Sequence, residues 1–362
     1  MGLVWIINLL SIFLLCAFFV GIVIPQIMAV ALRKKLFDMP DERKAHHSMT
    51  PRLGGTAFMP VVFLSFFILL TFNAFLEQRD IYNEMSAELF PLAYTSFAVI
   101  LAYLVGFIDD LKGVSYKVKF LIQALCGLLL VVGGVLMTDL HGLLSLHQLP
   151  QWSSILLTIF AVVFITNSVN LIDGIDGLAS GLCIIAFLCY GITFIMAHQY
   201  LYAMLSFAMV GVLVPFFYYN VFGKAEEGNK IFMGDTGSLT LGLMLCFLGI
   251  QLSHIPDAGD LKGNTFVIAF SPLLIPCLDV VRVFSFRVRK RMNPFMPGKH
   301  HIHHRLMALG LSQRKAMGIL VASSALLVLL NVVLSCFVGV TLLLIVDVLL
   351  WIVANMAIAK FK

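Results

Sequence analysis

The chain has 362 residues, of which 60% are hydrophobic and 12% charged, about half the ~25% charged share of a soluble domain. At about 20 residues per span, this apolar content fills ten or eleven membrane helices. It excludes a soluble enzyme, a disordered chain and a repeat solenoid, and the long unbroken apolar runs exclude a barrel of alternating strands.

In chain order the apolar segments fall at 4–30, 55–76, 89–108, 119–137, 153–172, 178–196, 200–221, 234–252, 265–286, 316–336 and 338–358. The sequence therefore predicts an all-α, polytopic membrane protein of about eleven spans. Ten would result if the last two segments, which are barely separated, were one. The first run has no basic stretch before it and continues to Leu32, too long for the core of a cleavable signal. A single membrane-embedded domain is expected over 1–362, with connections at 31–54, 109–119, 173–177, 222–233 and 287–315. The seven cysteines lie inside apolar runs without metal-ligand spacing and read as small buried hydrophobes.

The net charge of +5 is a matter of placement, and no nucleic-acid partner is expected. If the spans alternate, Arg33, Lys34, Lys35, Arg43, Lys44, Arg52, Lys112, Lys117, Lys119, Lys224, Lys230, the eight cations of 287–315, Lys360 and Lys362 share one side. Only Arg79 and Lys262 lie on the other, and Arg282 sits at a span end. The asymmetry puts the amino terminus outside and the carboxyl terminus in the cytoplasm.

The acids carry the chemistry. Asp109-Asp110 ends the third span. Asp173 and Asp176, in Asn167-Ser-Val-Asn170-Leu-Ile-Asp173-Gly-Ile-Asp176-Gly177, end the fifth. Asp235, in Phe232-Met233-Gly234-Asp235-Thr236-Gly237-Ser238, begins the eighth. Asp279 lies near the end of the ninth, with Arg282 one turn on. All six fall at the cytoplasmic level. Each alone also fits a helix cap, a turn or a surface charge; four separate span ends at one level point to a site, because acids near hydrocarbon are costly. Carboxylates among cations suit a hard metal and phosphates. The run Lys299-His300-His301-Ile302-His303-His304-Arg305 adds donors, with zinc as the rival reading of its histidines. Pro272 and Pro276 predict a kinked or broken ninth span, opening a groove for a lipid-tailed substrate. Asp347, alone in the last span, reads as helix packing.

These motifs, with Arg52-Leu53-Gly54-Gly55 after the first span, resemble in order and spacing those of the polyprenyl-phosphate N-acetylhexosamine-1-phosphate transferases (glycosyltransferase family 4). The likeness runs from about residue 30 to 320. It implies attack by a polyprenyl phosphate, such as undecaprenyl phosphate, on a UDP-sugar at the cytoplasmic face of a bacterial inner membrane. It also implies release of UMP, dependence on Mg²⁺ (Mn²⁺ as a substitute) and contact with membrane lipid, and it is compatible with a homodimer. The His-Ile-His-His form is similar to the subgroup that uses UDP-N-acetylglucosamine for O-antigen, common-antigen or teichoic-acid linkage lipids. Leu111-Lys112 departs from relatives that carry Arg directly after the Asp pair. By the resemblance, Asp235 is the metal ligand, and Asp109, Asp110 and Asp173 are catalytic. Asn170, Asp176 and Asn220 line the nucleotide pocket, while Lys119, Arg282, His301, His303 and His304 hold phosphate and sugar. The alternatives are the same chemistry on UDP-MurNAc-pentapeptide or another UDP-N-acetylhexosamine and, from another class, a secondary transporter.

Overall fold

The computed structural model describes residues 2–34, 36, 50–256, 264–294 and 298–360. Most of the predicted 31–54 connection, with Lys35, Arg43 and Lys44, lies outside the described residues, as does Lys262.

Helices dominate. They are α1 (Leu3–Lys34), α2 (Phe58–Phe75), α3 (Arg79–Ala87), α4 (Leu89–Lys112), α5 (Tyr116–Val132), α6 (Gln151–Ile172), α7 (Leu178–Met196), α8 (Tyr200–Phe222), α9 (Gly234–Ser253), α10 (Thr265–Phe270), α11 (Leu274–Arg289), α12 (Ile302–Met307), α13 (Gln313–Leu334) and α14 (Val340–Lys360). Among the described residues, ten helical stretches are long and apolar enough to cross a membrane. The protein is a multi-pass membrane protein.

Each of the eleven predicted segments is helical among the described residues. The last two predicted spans are separate helices, α13 and α14. The predicted 119–137 span is α5, which with 17 residues is shorter than the ten and at the lower end of the range for a crossing. Its C-terminus is set by Gly133 and Gly134; Gly134 turns left-handed and the Val135 N–H closes back on the Leu130 carbonyl. At 1.5 Å per residue α5 is only about 26 Å long. It nevertheless runs antiparallel along α4: it starts near Asp109 and ends with Gly133 against Tyr94 and Phe90.

The predicted break in the ninth span is present. α10 gives way to a 3-10 turn at Ser271–Leu273 containing Pro272, and α11 follows. Two elements were not expected from the apolar pattern. One is the short amphipathic α3; the other is a hairpin, β1 (Asp139–Leu143) with β2 (Leu146–Gln148), antiparallel. Thr341 on α14 ties the hairpin down, accepting from the Leu144 N–H and donating to the Gly142 carbonyl.

α9 is the enclosed centre of the bundle and α14 the most lipid-facing helix. Small residues let neighbours approach α9 closely, the device by which membrane helices pack without a solvent-driven hydrophobic force. Gly55, in the 3-10 turn Gly54–Ala57, meets Gly237 so closely that a Cβ on it would clash with the Gly237 backbone. The N–H groups of Gly54 and Gly55 donate to the carbonyls of Phe232 (2.9 Å) and Met233 (2.8 Å). The Arg-Leu-Gly-Gly motif thus fixes the strand of chain leading to Asp235.

Candidate active site

The ends of α4 and α6 and the middle of α11 meet the starts of α5, α9 and α12 at one end of the bundle. Asp109 and Asp110 are adjacent on α4 but face different partners. Asp109 Oδ1 accepts from the Val114 N–H at 2.5 Å. Its Oδ2 lies 3.2 Å from Lys119 Nζ, which also reaches Asp235 Oδ2 at 2.8 Å. Two carboxylates from α4 and α9 therefore converge on one cation from α5, all partly open to solvent.

Asp110 does something else. Its oxygens accept from the backbone N–H of Asp235 (2.7 Å), the backbone N–H of Thr236 (3.0 Å) and the Thr236 hydroxyl (2.5 Å). A carboxylate against the exposed N–H groups of a first turn satisfies donors and complements the helix dipole. Gly234 makes this fit possible. It has φ of 76°, and a Cβ there would run into the Arg52 carbonyl and both Asp110 oxygens.

Asn170, near the end of α6, donates to Ser238 Oγ at 2.8 Å and borders the Asp235 carboxylate. Asp173 ends the same helix, half-buried. Burial, then the negative field of Asp235, pushes its carboxyl up to about 7, with Arg52 opposing.

Asp176 and Asn220 form a second group. Asn220 accepts from the Gly177 N–H (2.7 Å) and donates to the Ile231 carbonyl (2.9 Å), joining the turn after α6 to the segment before α9. Asp176 Oδ2 pairs with Lys230 Nζ at 2.6 Å, both side chains largely enclosed. The ammonium also lies 5.8 Å from the Phe232 ring centroid.

The histidine segment forms a third group. Arg282 donates to Asp279 and to the His300 carbonyl, and His301 Nδ1 is 2.8 Å from Asp279 Oδ2. His303 is fully enclosed, and among the described residues neither of its ring nitrogens has a hydrogen-bond partner. Its Nε2 fills the space that a Cβ on Gly174 would need, so it locks the histidine segment onto the Asp173–Gly177 turn. Burial first, then the neighbouring His304 and His301, lowers His303 to about 3. His304, its ring 4.1 Å from that of His303, is lowered to about 4, again chiefly by burial. Both are neutral imidazoles near pH 7.

The structure thus brings Asp109, Asp235, Lys119 and Asn170 together, with Asp173 in their field. Asp176 and Asn220 stand together, as do Arg282 and His301. It sets Asp110 as a cap and His303 as an enclosed wedge. Among the described residues no group of three or more His, Cys, Asp or Glu side chains is arranged to hold a metal ion. Residues missing from the expected site are Lys230, which reads in sequence as one more orienting charge, and Thr236 and Ser238. The last two had a signal: small hydroxyl residues in the first turn of a helix that starts with Gly-Asp.

An all-helical membrane bundle with a carboxylate–lysine cluster at one end defines a polar site built at the edge of a bilayer. Residues 92–253 match the family model for glycosyl transferase family 4. An undecaprenyl-phosphate alpha-N-acetylglucosaminyl 1-phosphate transferase of Yersinia pestis is 30% identical over 84% of this chain and 78% of its own length. The enzyme of that name from Escherichia coli K12 is 30% identical over 90% and 82%. A probable undecaprenyl-phosphate N-acetylglucosaminyl 1-phosphate transferase of Bacillus subtilis is 33% identical over 82% and 76%. The chain belongs to glycosyl transferase family 4.

Proposed function

We propose that this protein transfers N-acetylglucosamine 1-phosphate from UDP-N-acetylglucosamine to undecaprenyl phosphate. The products are undecaprenyl-diphosphate-N-acetylglucosamine and UMP, and the step initiates a cell-surface polysaccharide. The observation that carries it is the convergence of Asp109 and Asp235 on Lys119 at the end of the bundle where cations concentrate. The relatives' names support the acceptor and the sugar. The charge asymmetry of the loops supports a site facing the cytoplasm of a bacterial inner membrane.

The donor set fits a hard cation such as Mg²⁺. Two carboxylates are what this ion ordinarily takes from a protein, with water and substrate phosphates completing its shell. Asp109 and Asp235 would hold it. Bound there, the ion would neutralise diphosphate charge. Lys119 lies where it can do the same for a phosphate oxygen. In the reaction an acceptor phosphate oxygen bonds to the β-phosphorus, and the bond from that phosphorus to the bridging oxygen breaks. UMP leaves with the bridging oxygen. A phosphate monoester is already largely dianionic at neutral pH, with a second pKa of about 6. Positioning and charge stabilisation are then the main demands, and no covalent aspartyl intermediate is required. Asp176, Asn220 and Lys230 would line the nucleotide end, and Arg282 with His301 the sugar-diphosphate end.

The test is UMP release by purified protein with undecaprenyl phosphate and Mg²⁺. UDP-N-acetylglucosamine is compared with UDP-N-acetylgalactosamine and UDP-MurNAc-pentapeptide. UMP from the first alone supports the proposal. Release from another donor keeps the chemistry and overturns the sugar. No release from any overturns the activity and returns the transporter reading.

A further inference from the structure

Of the six acids gathered at this end of the bundle, Asp279 has no part in the chemistry above. It is fully enclosed on α11, and its oxygens are taken. Oδ1 accepts from Arg282 Nη2 at 2.7 Å, Arg282 Nε at 3.3 Å and the Ile302 N–H at 3.0 Å. Oδ2 accepts from His301 Nδ1–H at 2.8 Å. Arg282 Nη2 donates once more, to the His300 carbonyl at 2.5 Å. One carboxylate therefore ties a cation of its own helix to the side chain and backbone of a segment about twenty residues on.

A carboxylate so enclosed and so fully bonded has no room for a substrate or a metal. It does constrain two groups that could reach one. Donation from Nδ1 fixes the His301 ring and leaves Nε2 as its other nitrogen. Locking Nε and Nη2 of Arg282 fixes the plane of the guanidinium, while Nη1 has no hydrogen-bond partner among the described residues. Charge-assisted, forked contacts of this kind hold geometry as well as charge.

We infer that Asp279 is a positioning residue. It clamps Arg282 and His301 into one unit that receives the β-phosphate of a nucleoside-diphosphate sugar, without touching the substrate itself. The clamp is read from the geometry alone; its assignment to the β-phosphate rests on the proposed function.

The experiment compares UDP and UMP binding by calorimetry on the purified full chain, wild type against Asp279→Asn. UDP carries the β-phosphate and UMP does not. Loss of the clamp should weaken UDP about tenfold or more, the loss of one charge-assisted contact, and leave UMP within about twofold. Because the two residues act as one unit, Asp279→Asn added to Arg282→Ala should cost less than the two changes summed. Asp279→Glu should restore part of the UDP affinity, and it serves in place of the Asn variant if that one does not fold. Equal weakening of UDP and UMP would overturn the assignment in favour of a general structural role, and so would no change in either. A wild-type protein that binds neither nucleotide overturns the proposed function. The tether is then decided by NMR of ¹⁵N-labelled histidine: a hydrogen-bonded His301 Nδ1–H signal lost in Asp279→Asn supports it, and its presence in both proteins or in neither overturns it.

Discussion

Asp110 accepts the backbone N–H of Asp235 at 2.7 Å, so the acid beside Asp109 anchors the helix that carries Asp109's partner. The two neighbours should fail differently. Asp110→Ala leaves first-turn donors of α9 without an acceptor, at a cost of about 1–2 kcal/mol. The expected result is a lower melting temperature in detergent together with lost turnover. Asp109→Ala should abolish turnover and lower melting less, since it leaves one backbone donor, the Val114 N–H, without an acceptor where Asp110→Ala leaves two. Equal melting losses in both would contradict the division.

Asp173 should make the protein less stable as pH rises. Its carboxyl is pushed up to about 7. Between about pH 4 and 7 the folded chain therefore keeps a proton that the unfolded chain releases, and stability falls with rising pH across that window. Asp173→Asn removes the charge. At pH 7.5, without ligands, the variant should melt above wild type. The gain should shrink toward pH 5. A pH-independent difference would refute the field argument.

His303 works in the opposite sense. The folded chain binds its proton only near pH 3, and that of His304 near pH 4, whereas unfolded histidine binds near 6.5. Stability should fall as pH drops below about 6.5. A near-isosteric His303→Leu should flatten that loss in melting curves taken from pH 7.5 to 5. An unchanged slope would mean that His303 is not held neutral by burial.

Lys230 should matter to the nucleotide. Lys230→Met removes the ammonium that pairs with the Asp176 carboxylate in a largely enclosed place. The affected quantity should be KM for the UDP-sugar, raised about tenfold, roughly 1.4 kcal/mol, with kcat little changed. Lys230→Arg should keep most of the function. A fall in kcat at constant KM would assign Lys230 to the reacting phosphates instead.

Within the bundle, Asn331 on α13 donates to Asp347 Oδ2 at 2.9 Å and to Ser271 Oγ at 3.1 Å. It bridges the outer helix α14 to the break in the ninth span. Asn331→Leu should cost about 0.6–2 kcal/mol, the range for hydrogen bonds between membrane helices, measurable as a lower melting temperature. Asp347, which reads in sequence as helix packing, has this bond as its anchor, and Asp347→Leu should lose a similar amount. Additive losses in the double variant would argue against a shared bond.

Composition and hydropathy fixed the membrane class, the spans to within a few residues and the proline break, because each is set by local content. The short α5 was hidden: Gly133 and Gly134 end it early, while the apolar run continues to Met137. The β-hairpin and α3 escaped a reading based on apolar runs for a different reason: both are short and lie between such runs.

The six acids were also legible, as residue types at span ends on one level, and so were Arg282 and the histidine run. What each does was not. Consecutive residues on a helix point about 100° apart, so Asp109 and Asp110 look out on different neighbours: Lys119 on α5 for one, the first turn of α9 for the other. Lys230 finds Asp176, and Asp279 finds His301, across 54 and 22 residues of chain. Sequence by itself determined which charges stand at the membrane edge. Only the packing of α4, α5, α9 and α11 decided which charge meets which, because hydrogen bonds and ion pairs act over about 3 Å and that distance is set between helices rather than along them.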